Sequence, residues 1–107
     1  FNHSHGRKTD AGGNVNLNGD RQLTRFLDWH ATTFDVVHVA TAGNQGGADG
    51  QIQAPGDLYN GISVGSVGTD MQTRTVTSSY RLDGEVATGI DVRSKPDILA
   101  FGGDGTT

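Results

Sequence analysis

A chain of 107 residues is long enough for one modest hydrophobic core and therefore for a single domain. Hydrophobic residues make up 33% of it, beside 17 glycines, two prolines and no cysteine, which excludes a disulfide frame, thiol catalysis and cysteine-based zinc sites; the glycines follow no fixed period, so collagen-like and repeat architectures are excluded too. The net charge of −4, with Arg7-Lys8 as the only adjacent basic pair, argues against a nucleic-acid partner, and no apolar run approaches the ~18 residues of a membrane span.

Residues 1–4 read as the end of a strand. Residues 7–20 are polar and rich in Gly and Asn, hence a loop. From 20 to 34, Leu23, Phe26, Leu27, Ala31 and Phe34 fall on one helical face, with Asn18 or Asp20 placed to cap the helix start. Residues 35–41 are a β-rich apolar run, read as a buried strand. A loop over 43–61 follows, with Pro55-Gly56 in its middle. Residues 62–67 predict a further strand, 73–79 a polar edge strand, 83–94 a loop, and 96–101 a last strand.

Continuous apolar strands separated by a helix and long loops predict an α/β fold. Its sheet is mainly parallel and covered by helices on both faces. Such a sheet needs more strands and helices than 107 residues supply. The chain therefore reads as an internal fragment, residues 1–107, of one larger domain, incomplete at both ends.

The stretch Val36-Val37-His38-Val39-Ala40-Thr41-Ala42-Gly43-Asn44-Gln45-Gly46 carries the first functional signal. It runs a strand directly into a tight turn, and open α/β sheets keep their ligands at the carboxyl ends of strands. The amide of Asn44 can donate a hydrogen bond there to charge developing on a substrate oxygen. The plainer alternative is a turn asparagine that tolerates a left-handed backbone.

Four segments, in order, resemble the subtilisin-like serine proteases. Asn2-His3-Ser4-His5-Gly6 resembles the family's Asn-x-Ser-x-Gly strand. Residues 40–46 resemble its oxyanion turn. Ala54-Pro55-Gly56, followed by Asn60-Gly61-Ile62-Ser63-Val64-Gly65-Ser66-Val67, resembles its Pro-Ala/Gly then Ile-x-Val-Gly-Ala-Val stretch. Ser78-Ser79, then Lys95-Pro96-Asp97-Ile98-Leu99-Ala100, resembles its Phe-Ser-x then Lys-Pro-Asp-Ile-x-Ala-Pro-Gly stretch. Each motif alone is weak; together they cover most of the chain. Two departures stand out: Phe101 replaces the family's proline, and His3 and His5 flank Ser4 where apolar residues are more usual.

The resemblance implies a serine endopeptidase that cleaves peptide or protein substrates through an acyl-enzyme. Asn44 would be its oxyanion donor. Ser4, His5 and Gly6 would form one wall of the substrate cleft by strand addition. Thr41, Ala42 and Gly43 would form the other wall, with Pro55 and Gly56 near its base. The Ala54–Pro55 bond is a candidate for the cis form. The resemblance also implies a secreted or cell-envelope protein, and allows calcium in the parent domain but no cofactor in this segment.

The mechanism requires a serine, a histidine base and an aspartate that orients it. The family's Asp-Ser/Thr-Gly, His-Gly-Thr and Gly-Thr-Ser motifs do not occur here. By order, aspartate and histidine would precede Phe1 and serine would follow Thr107, and the isolated chain is expected to lack peptidase activity. A peptide-binding pseudo-peptidase is the rival reading.

The remaining signals are weaker. His3-x-His5 would place two rings on one face of a strand, an arrangement that can bind metal, but no third ligand is evident and two polar loop-edge histidines are favoured. His30 and His38 read as packed and hydrogen-bonded. Asn14-x-Asn16-x-Asn18-Gly19-Asp20 opens like a calcium loop, but the twelfth position is Arg25 and not an acid. Residues 43–50 could suggest a phosphate loop and a nucleotide-binding domain, but no helical period follows.

Overall fold

The computed structural model describes residues 1–6, 22–44, 52–80 and 94–102. Four strands form one sheet: β1 (Asn2–His3), β2 (Val39–Thr41), β3 (Ile62–Val67) and β4 (Ile98–Phe101). They lie side by side in chain order and every pair is parallel. One helix, α1 (Gln22–Phe34), stands between β1 and β2. The α/β class and the parallel sheet are as the sequence predicts.

Register puts Ala40 beside Ser63 and Thr41 beside Val64. Side chains alternate across a strand, so Ala40, Ser63, Gly65 and Val67 share the buried face, and Thr41, Val64 and Ser66 share the more open one. Among the described residues the sheet is not covered on both faces, and all four residues of β4 are exposed.

Helix α1 buries Thr24, Leu27 and Ala31, while Leu23, Phe26 and Phe34 of the predicted face are exposed. Polar contacts fix it as much as apolar ones. The Thr24 hydroxyl donates to the buried carboxylate of Asp57 at 2.8 Å. The Asp28 carboxylate accepts the backbone N–H groups of Tyr59 and Asn60 at 2.9 and 2.7 Å. The helix ends where Asp35 turns left-handed (φ 53°) and Val36 N–H reaches back to the Ala31 carbonyl at 3.2 Å, which satisfies an otherwise unpaired helix-end carbonyl. The capping residues expected at Asn18 and Asp20, the loops over 7–20 and 83–93, and the asparagine-rich stretch lie outside the described residues.

The expected edge strand over 73–79 is a correction. The segment makes one isolated antiparallel bridge, Val67 to Arg74, and otherwise turns. Beyond the Gly68 N–H bond to the Thr73 carbonyl and the Thr75 N–H bond to the Ser66 carbonyl, both 2.9 Å, local partners take groups that a longer ladder would need. The Asp70 carboxylate accepts the N–H groups of Gln72 and Thr73 at 3.0 and 2.9 Å. The Arg74 guanidinium donates to the carbonyls of Thr75 and Ser78 and lies over the Tyr80 ring. These hydrogen bonds hold the Asp70 carboxyl down at about 2, the Thr73 side-chain contact foremost.

Candidate active-site cleft

The open face of the sheet carries a cleft of about 370 Å³ at the carboxyl ends of the strands. Ser4 after β1, Thr41 at the end of β2, Gly43 and Asn44 just after it, Ser66 of β3 and Gly102 after β4 contribute to its lining. This is where a parallel sheet presents loop residues to a ligand.

The turn after β2 is held from three sides. The N–H of Ala42 donates to the Val64 carbonyl at 2.8 Å, and its own carbonyl accepts the Gln53 N–H at 2.9 Å. The Gly43 carbonyl accepts the Ser79 N–H at 2.9 Å, and the Gly43 N–H donates to the Thr41 hydroxyl at 3.2 Å. Gly43 has φ +109°, a conformation that needs glycine, and a Cβ there would lie 2.5 Å from the Gln53 side chain. Asn44 follows, exposed; its backbone N–H donates to Gln53 Oε1 at 3.0 Å. Its side-chain amide makes no hydrogen bond to another described residue.

The predicted site residues fall into three groups. Ser4, Thr41, Gly43 and Asn44 meet at the cleft surface. Ala42, Pro55 and Gly56 are buried behind the turn. The Ala54–Pro55 bond is cis, and so is Lys95–Pro96. His5 and Gly6 are exposed beyond β1, outside the lining. Gly6 abuts the Gln53 side chain, since a Cβ on it would lie 2.9 Å from Gln53 Cβ.

Sequence reasoning missed Gln53. Its side chain lies between Gly6 on one predicted wall and Gly43-Asn44 on the other. A polar residue just before Ala54-Pro55 was its only signal. The Gly56 N–H donates to the Gln53 carbonyl at 2.7 Å and the Gln53 N–H to the Ala42 carbonyl at 2.9 Å, which sets its backbone beneath the turn.

A second polar cluster stands on the neighbouring strands. The Asp97 carboxylate accepts the Lys95 ammonium at 2.7 Å, and the Ser63 N–H and hydroxyl at 2.7 and 3.2 Å. Burial alone raises the Asp97 carboxyl, but the Lys95 and Ser63 contacts outweigh it and leave it below the usual range. The cluster ties the start of β4 to the start of β3, at the end of the strands away from the cleft.

His3 is a correction. It is not a loop-edge histidine: it is half-buried and its Nε2 meets His38 Nδ1 at 2.9 Å. His38 is buried, and its Nε2 meets His30 Nδ1 at 3.0 Å. Among the described residues, no group of three or more His, Asp or Glu side chains is arranged to hold a metal ion.

The sequence profile of the Subtilase family matches residues 1–107. The chain belongs to the subtilase family. Over 76 residues it is also 30% identical to "Subtilisin-like protease SBT6.1" of Arabidopsis thaliana, a match covering 71% of this chain and 7% of that protein. The chain therefore spans a small part of its relative's length. No helix among the described residues is long and apolar enough to cross a membrane.

Proposed function

We propose that this segment supplies the oxyanion donor and one side of the peptide cleft of a secreted or cell-envelope serine endopeptidase. The observation that carries the reading is the position of Asn44. It is exposed at the carboxyl end of a central parallel strand, on a turn fixed by backbone bonds on both flanks, with its amide open to the same cleft as Ser4. A donor held rigid before the reaction can stabilise an oxyanion without reorganising, which is what makes such groups effective.

In that mechanism the nucleophilic serine attacks the scissile carbonyl, a histidine takes its proton, and the carbonyl oxygen acquires the negative charge. Those groups lie in other parts of the domain. Asn44 Nδ2 donates to the oxygen as charge develops. The backbone of 4–6 offers N–H and C=O groups to an extended peptide added beside it, with 41–43 as the facing wall. The segment itself requires no cofactor; any calcium belongs to the rest of the domain. Without the triad motifs the isolated 107-residue chain has no peptidase activity.

The test is Asn44→Ala in the full-length protein. Turnover should fall about 10²–10³-fold with KM little changed, a magnitude established in a protease of this same family. Unchanged turnover would remove Asn44 from the mechanism. A full-length protein that binds peptides but never cleaves them would favour the pseudo-peptidase.

A further inference from the structure

Three imidazoles form one hydrogen-bonded chain through the first part of the fold. His3 of β1 meets His38, just before β2, at 2.9 Å, and His38 meets His30 of α1 at 3.0 Å. His38 uses both ring nitrogens and is 2% exposed. Phe1 closes the chain on one side, stacked on His38 at 5.2 Å and edge-on to His30 at 5.5 Å. Phe26 and Phe34 lie against His30. This chain connects the helix to the strand that leads directly into Ser4.

Proton counting sets how the chain responds to acid. Each nitrogen–nitrogen contact needs one proton between its two atoms. Three neutral imidazoles carry three protons: two fill the contacts and one sits on an outer nitrogen. A first added proton fills the other outer nitrogen, and both contacts survive with the charge shared along the chain. A second added proton must enter a contact, where two N–H groups would face each other. One link then breaks.

The surroundings oppose charge. Burial lowers the His38 pKa, and so do His3 and His30, with Asp28 of α1 opposing them. Burial likewise lowers His3, assisted by His5. Phe1 faces favour a cation weakly, but desolvation and like-charge repulsion prevail. Asp28 is already engaged by Tyr59 and Asn60, which limits what it offers the chain.

We propose that His3, His38 and His30 form an acid-operated latch that ties β1 to α1 and, when it opens, loosens the cleft wall that begins at Ser4. Neutral, the latch is closed and the wall is held at its base. Taking up two protons separates one pair of rings, and the strand and the helix lose their side-chain connection together. The latch is independent of whether the cleft cleaves peptides.

The test is hydrogen exchange read by mass spectrometry on the full-length protein, from about pH 7.5 to about pH 5.5, with the intrinsic pH dependence of exchange removed. Protection of residues 1–6 and 22–34 should fall together, by about tenfold, as expected for opening linked to proton uptake. The double variant His30→Gln/His38→Gln keeps donors and acceptors along the chain but leaves a single imidazole, His3, which takes an added proton on its outer nitrogen without opposing N–H groups. Its protection should stay within about twofold over the same range. His30→Gln, a change at a half-exposed helix position, is the second variant, and the fall should move to lower pH in it. Constant wild-type protection, or an identical fall in either glutamine variant, would overturn the latch.

Discussion

At the scale of single residues, the cleft depends on contacts too close for substitution. Gly56 lies under the turn, and a Cβ there would sit 2.5 Å from the Thr41 carbonyl oxygen and 2.9 Å from that of Gln53. Both neighbours are backbone, so the turn itself must move. Gly56→Ala in the full-length protein should lower stability by about 2 kcal/mol, the scale of overpacking in a filled site. Turnover should fall with it, because the displaced carbonyl lies three residues before Asn44. A melting temperature equal to wild type would show that the turn has slack. Gln53 is the complementary case. Gln53→Leu keeps the volume and removes the acceptor for the Asn44 N–H. Loss of one such hydrogen bond, about 1 kcal/mol, should lower kcat/KM by about fivefold. A wild-type kcat/KM would mean that the backbone bonds alone fix the turn.

At the scale of elements, the helix and the strands are joined by polar contacts that hydrophobic patterning does not reveal. Leu23, Phe26, Leu27, Ala31 and Phe34 read as one buried stripe, yet Thr24 is wholly buried while Phe26 and Phe34 are about half exposed. The Thr24–Asp57 and Asp28–Asn60 bonds rotate the helix to that face. At its other end, Asp35 sits at φ 53°, which glycine adopts without strain. Asp35→Gly should stabilise the protein by up to about 1 kcal/mol, seen as a higher denaturant midpoint; a lower midpoint would give the Asp35 side chain a role of its own. Between β3 and β4 the charge on Asp97 matters. Its folded pKa is lowered, so its contribution is present above the unfolded value of about 3.9 and is lost as pH falls through the folded value. Asp97→Asn leaves the buried Lys95 ammonium without its carboxylate. It should cost about 2 kcal/mol at neutral pH, reduced from the fully buried case because Asp97 is partly exposed, and progressively less as the pH falls through the lowered folded value. A loss that does not change with pH would point to shape and not charge.

At the scale of the whole molecule, the sheet is one-sided among the described residues. Ile98, Leu99 and Phe101 of β4 are each about half exposed, and the helix turns Trp29 and Phe34 outward. An edge strand with apolar side chains invites pairing with another chain. The isolated 107-residue chain should therefore self-associate or fold poorly. Sedimentation velocity checks this directly. A monomer with one sharp two-state unfolding transition would contradict it.

The sequence by itself determined the fold class, the order of the main elements, the family, and the turn that carries Asn44. These follow from local signals: an apolar run, a glycine that must turn, a proline, a short motif. It could not determine that residues 73–79 turn instead of pairing, because side-chain acceptors such as Asp70 compete locally with the ladder. Nor did it single out Gln53, or show that His3, His30 and His38 share one chain. Those depend on residues 8 to 35 positions apart meeting in space. The parallel crossover that sets β1 against β2, with α1 between them in sequence, brings the three histidines together, and the bond from the Gln53 N–H to the Ala42 carbonyl returns Gln53 to the Asn44 turn.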